Sequence, residues 1–196
     1  MIDSSQTIRI NDVRTLADEK GKLTRVTFEQ RRKDGSWQQR HREVYDNGDS
    51  AVILPHDPKR NTVLLARQFR LPAYVKDGAE RMVEACAGKL DGETAEKRII
   101  KEMEEELGYR IAQVDRLFEL YVSPAAVAEK ITFFTCDYSP ADKVSSGGGL
   151  ADEGEDIEIV ELTLDEARGM VFTGKIIDAK TVILIQSLWD RVASSR

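Results

Sequence analysis

The stretch Ala87 to Tyr109, AGKLDGETAEKRIIKEMEEELGY, constrains this chain more than any other. With about 100° per residue around a helix and Ile99 at zero, Ala95, Ile99, Ile100, Met103 and Leu107 fall between about −40° and +100°. That arc is a core-facing stripe. Glu106 falls at about −20°, inside it, Glu102 at about −60°, on its edge, and Glu105 at about −120°. Lys97, Arg98, Lys101 and Glu104 take most of the remaining face. Thr94 is a suitable N-cap and Gly108 a suitable stop. An unpaired buried charge costs several kcal/mol, so two carboxylates turned toward a core require compensation. Spacing alone leaves three readings open. The acids form a solvated face, they join a buried salt-bridge network, or they bind a divalent cation, for which carboxylates at i and i+4 are suitable ligands.

The full pattern is more specific. Gly88, Glu93, Lys101-Glu102, Glu105-Glu106, Gly108 and Tyr109 resemble the Nudix box, G-x5-E-x7-R-E-U-x-E-E-x-G-U, where U is a bulky aliphatic. From Glu102 onward the match is full apart from Tyr109, a tolerated departure at the last position. Lys101 stands where the pattern has arginine, and the first spacer, Gly88 to Glu93, is one residue short. A subset of the family shares both features, so neither implies loss of function.

Composition narrows the class. The 196 residues, 41% hydrophobic and 33% charged, suit one sizeable core plus an appendage. A net charge of −6 argues against nucleic acid as the main partner. No apolar run of about 18 residues is present, so no membrane helix is expected. The first residues carry no signal-peptide pattern. Cys86 and Cys136 lie in apolar runs, as buried thiols of a reducing compartment do, and a cytoplasmic location is expected.

Along the chain, residues 1–48 read as a small β unit with a hairpin of Leu23–Gln30 and Trp37–Tyr45, thin in core residues and needing a docking partner. Residues 49–196 read as the main domain. Strands are expected at 51–54, 62–68, 81–87, 116–122, 131–138 and 157–162, and helices at 94–107, 165–172 and 178–192. Phe69–Gly78 reads as a loop, and Ser139–Asp156, with Gly147-Gly148-Gly149, as a flexible segment without a regular element. Strands with packed helices suggest an α/β protein with a mixed sheet between helical layers.

The Nudix resemblance implies such an α/β/α sandwich and extends over roughly residues 50–192. Within the family the chain most resembles the GDP-mannose pyrophosphatase branch, sister to the ADP-ribose pyrophosphatases. The likeness lies in ARQFR (66–70), EACAGKLD (84–91), FELYVSP (118–124), the glycine-and-acid loop (147–156), EDIEIVEL (155–162) and TGKIIDAKTVILI (173–185). It implies a homodimer that exchanges the N-terminal β units, and hydrolysis of GDP-mannose to GMP and mannose 1-phosphate. The nearest alternatives are ADP-ribose cleavage to AMP and ribose 5-phosphate, and a nucleotide-binding protein without catalysis.

Carried over residue by residue, Glu102, Glu106, Glu155 and the carbonyl of Ala87 are expected metal ligands for Mg²⁺, with Mn²⁺ as the alternative. Glu105 is expected to bind metal or orient water. Glu155 is the expected base, with Asp152, Glu153 and Asp156 as neighbouring candidates. Arg70, Ala87, Gly88, Lys89, Glu129 and Lys180 are expected substrate contacts, together with His41, Arg42 and Glu43 from the N-terminal unit. The branch stacks an aromatic on the nucleobase from a segment matching ADEKGKL (17–23), which has none here. Trp37 and Tyr74 are the candidate substitutes.

Overall fold

The protein is described by a computed structural model covering residues 7–194. It divides into two compact units, Met1–Asp49 with Ser123–Lys130, and Ser50–Val122 with Ile131–Arg196.

The first unit is a three-stranded antiparallel sheet in the order β1 (Ile8–Asp18), β2 (Lys22–Arg31), β3 (Trp37–Asp46). The expected hairpin is β2–β3. The third strand, β1, was not expected. Register shifts between Ile10 and Asp12 and between Thr15 and Ala17 interrupt its alternation and hide the period of two. Residues 123–130 run alongside β3, with the N–H of Tyr45 donating to Ala126 O and that of Ala128 to Tyr45 O, both at 2.8 Å.

The second unit is built on a seven-stranded mixed sheet. Its main path is β10 (Glu158–Thr163), β5 (Thr62–Gln68), β4 (Ser50–Asp57), β9 (Lys130–Asp137), β8 (Asp115–Tyr121). The run expected as one strand at 81–87 is divided into β6 (Met82–Glu84), which pairs with β5, and β7 (Cys86–Lys89), which pairs with β4. Strands β4 and β9 are parallel, and β4 and β5 antiparallel. Strand β4 is buried along its whole length, and alternation sorts it between two cores. Ala51 and Ile53 join Leu64 and Ala66 against Ile99 and Met103 of α2 (Ala95–Glu106) and Leu107, which caps it. Val52 and Leu54 join Val63 and Leu65 against Leu164 and Ala167 of α3 (Leu164–Phe172) and Leu184, Ile185 and Leu188 of α4 (Ala179–Ser194). The expected α/β/α layering is therefore present.

Two segments expected to lack regular structure do not. Leu71–Asp77 forms a short helix, α1, started by Pro72 and stopped by the left-handed Gly78. It buries none of its residues, so no apolar stripe announces it. Residues 139–156 contain single 3₁₀ turns at Pro140–Asp142 and Ala151–Glu153. Among the described residues no helix is long and apolar enough to cross a membrane.

Candidate active site

Helix α2 begins as its sequence dictates, with Thr94 accepting from the N–H of Lys97. It turns two carboxylates into the protein. Glu102 is 4% exposed and Glu106 2% exposed, which excludes a solvated face. Glu105 is half-buried and lies 3.4 Å from Lys101. Glu102 pairs with Arg98 one turn earlier at 2.5 Å, and Arg98 Nε has no hydrogen-bond partner among the described residues. Glu106 accepts from the N–H of Ala87 at 3.3 Å and from the thiol of Cys86. Burial pushes the Glu102 carboxyl up to about 7, with the charges of Glu105 and Glu155 adding and Arg98 opposing. Burial likewise pushes Glu106 up to about 8; the Cys86 bond and Arg70 oppose, while Glu102 and Glu155 add. Glu102 packs directly on Gly88, where an added Cβ would have to displace its carboxylate.

Beside this pair stands a second charged group. The loop after β5 supplies Arg70, whose Nε donates to Glu84 of β6 at 2.8 Å. Glu84 is 2% exposed. Lys180, from the start of α4, reaches Glu84 at 3.5 Å and Asp178 at 2.7 Å. Asp178 accepts from the N–H and hydroxyl of Thr181, and Thr181 in turn accepts from the N–H of Ala85. Burial works against the Arg70 charge, but Glu84 outweighs it, with Glu106 and Asp178 contributing. The two groups are thus within electrostatic reach.

Glu155 follows the triple glycine. Its carboxylate accepts from the N–H of Leu150 at 2.9 Å, and its charge acts on both Glu102 and Glu106. Asp156 is turned to Arg81 at 2.6 Å.

Comparison with known proteins decides the family. A family model described as the NUDIX domain matches residues 46–182, and one described as the GDP-mannose pyrophosphatase NudK N-terminal domain matches residues 7–45. The chain belongs to the Nudix family. A GDP-mannose pyrophosphatase of Escherichia coli O1:K1 / APEC is 42% identical over 185 residues, 94% of this chain and 96% of that protein. The GDP-mannose pyrophosphatase of Citrobacter koseri matches to the same extent. A crystal structure of an ADP compounds hydrolase has a TM-score of 0.75 over 98% of both chains at 18% identity, a likeness of fold. Nudix hydrolases generally use divalent metal ions.

The Nudix donor set fits such an ion. Glu102, Glu106 and the nearby Glu105 and Glu155 offer hard oxygens, burial disfavours the bare carboxylates, and Gly88 keeps the backbone close. Among the described residues no three His, Cys, Asp or Glu side chains form a ready-made cage. A hard cation held by one or two carboxylates, with waters and phosphate oxygens, needs none.

The structure thus gathers Arg70, Ala87, Gly88, Glu102, Glu105, Glu106, Glu155 and Lys180 in the second unit, with Lys89 closing β7. His41, Arg42 and Glu43 lie exposed on β3 of the first unit, where Glu43 pairs with Arg25 at 2.9 Å. Glu129 belongs to the same unit. Arg9 covers the Trp37 ring at 3.9 Å, and the exposed Tyr74 packs against Phe69. Four participants escaped the sequence reading: Glu84, Cys86, Arg98 and Asp178. The one available signal was Glu84, an acid inside the otherwise apolar run MVEACA.

Proposed function

We propose that this protein is a Mg²⁺-dependent nucleotide-sugar pyrophosphatase that hydrolyses GDP-mannose to GMP and mannose 1-phosphate. The observation that carries this reading is the 42% identity to GDP-mannose pyrophosphatase, which spans the N-terminal unit as well as the Nudix domain. Glu102, Glu106, Glu155 and the Ala87 carbonyl would hold Mg²⁺, with Mn²⁺ as the alternative. Bound there, a divalent cation neutralises phosphate charge and lowers the pKa of water. Arg70 and Lys180 bind the phosphates. Glu155 takes the proton of the attacking water as the new oxygen–phosphorus bond forms and the bridging bond breaks. Glu105 orients that water or adds a metal contact. Gly88 and Lys89 line the approach, and His41, Arg42, Glu43 and Glu129 contact the nucleotide.

We also propose that the protein acts as a homodimer exchanging its N-terminal units. Ile10 and Val13 of β1 are 59% and 58% exposed, an apolar face that a second chain would cover. Light scattering should give twice the chain mass.

The activity test is product analysis of GDP-mannose and ADP-ribose incubated separately with Mg²⁺. The proposal expects GMP and mannose 1-phosphate at a kcat/KM at least about tenfold above that for ADP-ribose, roughly 1.4 kcal/mol of discrimination. Preference for ADP-ribose would overturn the substrate assignment, and inertness toward both would overturn the enzyme.

A further inference from the structure

The triple-glycine segment has a specific seat. The last four carbonyls of a helix have no partner inside it. In α2, Met103 O receives the N–H of Leu107 at 3.2 Å and of Tyr109 at 3.1 Å, and Glu104 O that of Gly108 at 3.2 Å. The other two are taken by the loop: Gly149 N–H donates to Glu105 O at 3.0 Å and Gly148 N–H to Glu106 O at 2.9 Å. The loop also returns to the helix end, with Val144 and Ser145 both donating to Gly108 O.

Two glycines make this approach possible. A Cβ on Gly147 would stand 2.5 Å from Glu106 O and 2.7 Å from the Leu107 carbonyl carbon. One on Gly108 would stand 2.5 Å from Ser145 O and 2.8 Å from Gly147 N. Both residues have positive φ, +63° and +77°. The obstructing atoms are backbone, so neither contact relaxes by a rotamer change. Gly108, the last glycine of the Nudix box, and Gly147 are interlocked.

The fastening continues to Glu155. Ile157 N–H donates to Gly148 O at 3.1 Å, Glu155 N–H to Leu150 O at 3.2 Å, and Leu150 N–H to the Glu155 carboxylate at 2.9 Å. A run of hydrogen bonds therefore joins the carbonyls of Glu105 and Glu106 to the Glu155 side chain.

We infer that Gly147 is a positioning residue: it locks the triple-glycine turn onto the end of α2 and thereby sets where Glu155 stands relative to Glu102 and Glu106. The inference rests on the proposed role of Glu155 as base.

The test compares Gly147→Ala with Gly174→Ala. Gly174 has φ +70° and open space around an added Cβ, so it carries the backbone strain without the collision. Gly147→Ala is expected to lower kcat on GDP-mannose by at least about tenfold, the scale of a misplacement near 1 Å, with KM changed less than about threefold. It should also speed amide exchange at Gly148 and Gly149, while Gly174→Ala keeps kcat. In a Glu155→Gln background, adding Gly147→Ala should cost less than about threefold more, because the two act as one unit. Wild-type kcat in Gly147→Ala would overturn the inference. So would equal losses from Gly147→Ala in both backgrounds, which would leave the base assignment standing. Full activity in Glu155→Gln would overturn both. Should Gly147→Ala fail to fold, wild-type amides decide: exchange at Gly148 and Gly149 as fast as in open loops would overturn the fastening.

Discussion

Glu106 takes a hydrogen bond from the backbone N–H of Ala87 at 3.3 Å, and the same residue is raised by burial to about 8. A carboxyl whose folded pKa exceeds its unfolded value, about 4.3, contributes stability below that value and loses it as pH rises through the folded pKa. The metal-free protein therefore bears the cost of a buried charge at alkaline pH. Glu106→Gln removes that charge. In the presence of a chelator the variant is expected to melt at least about 3 °C above wild type at pH 9, roughly 1 kcal/mol for a chain of this size. The gap should close toward pH 5. Hydrolysis should fall by at least about 100-fold. A pH-independent gap would show that the charge is not the cause.

Metal binding should reverse the order. A ligand that binds only the folded state at about 100 times its Kd stabilises by about 2.7 kcal/mol. Millimolar Mg²⁺ should therefore raise the melting midpoint of wild type by several degrees, and raise that of Glu102→Gln or Glu106→Gln by much less. Equal shifts in all three proteins would place the ion elsewhere.

The helix period made the central acids legible. Once Ile99, Met103 and Leu107 define an apolar arc, Glu106 falls inside it and Glu102 on its edge, and burial of both decides against the solvated face that spacing alone left open. The same wheel put Arg98 on the polar face, yet its long side chain bends back to Glu102 and is only 15% exposed. Strand β1 was hidden by its bulges, and α1 by having no buried side. Residues 139–156 misled for another reason. Composition reads glycine as mobility, whereas Gly147 meets the end of α2 at a distance no side chain allows. Glu84 depends on Arg70, Asp178 and Lys180, which lie far from it in sequence, and no local pattern connects them.

Glu84 should matter for both stability and binding. It is buried and pairs with both Arg70 and Lys180, and truncation takes that partner from Arg70 while Lys180 keeps Asp178. Removing one partner of a buried pair costs about 3–5 kcal/mol. Arg70 is 43% exposed and can relax into water, so Glu84→Ala is expected to cost about 2 kcal/mol in urea unfolding. KM for GDP-mannose should rise more than kcat falls, because the cations proposed to bind phosphate lose a shared anchor. An unchanged KM would separate Glu84 from the phosphate site.

Asp178 gives a stability effect of opposite pH sign. Burial alone would raise its pKa, but the charge of Lys180 and the hydrogen bonds from Lys180 and Thr181 hold it below the ordinary value. Its contribution is complete above the unfolded pKa, about 3.9, and is lost as pH falls through the lower folded pKa. Asp178 accepts from the N–H of Thr181 at 3.0 Å in the first turn of α4, and from its hydroxyl at 2.6 Å. Through Thr181 it also holds the N–H of Ala85 between β6 and β7. Asp178→Asn keeps the shape but loses the charge. It is expected to cost about 1–2 kcal/mol at pH 7, the range of a capping contact and a charge-assisted hydrogen bond. Urea unfolding of both proteins between pH 7 and pH 3 checks the sign: the gap should hold down to about pH 4 and then shrink. A gap that widens on acidification would mean that burial, rather than Lys180 and Thr181, governs this carboxylate.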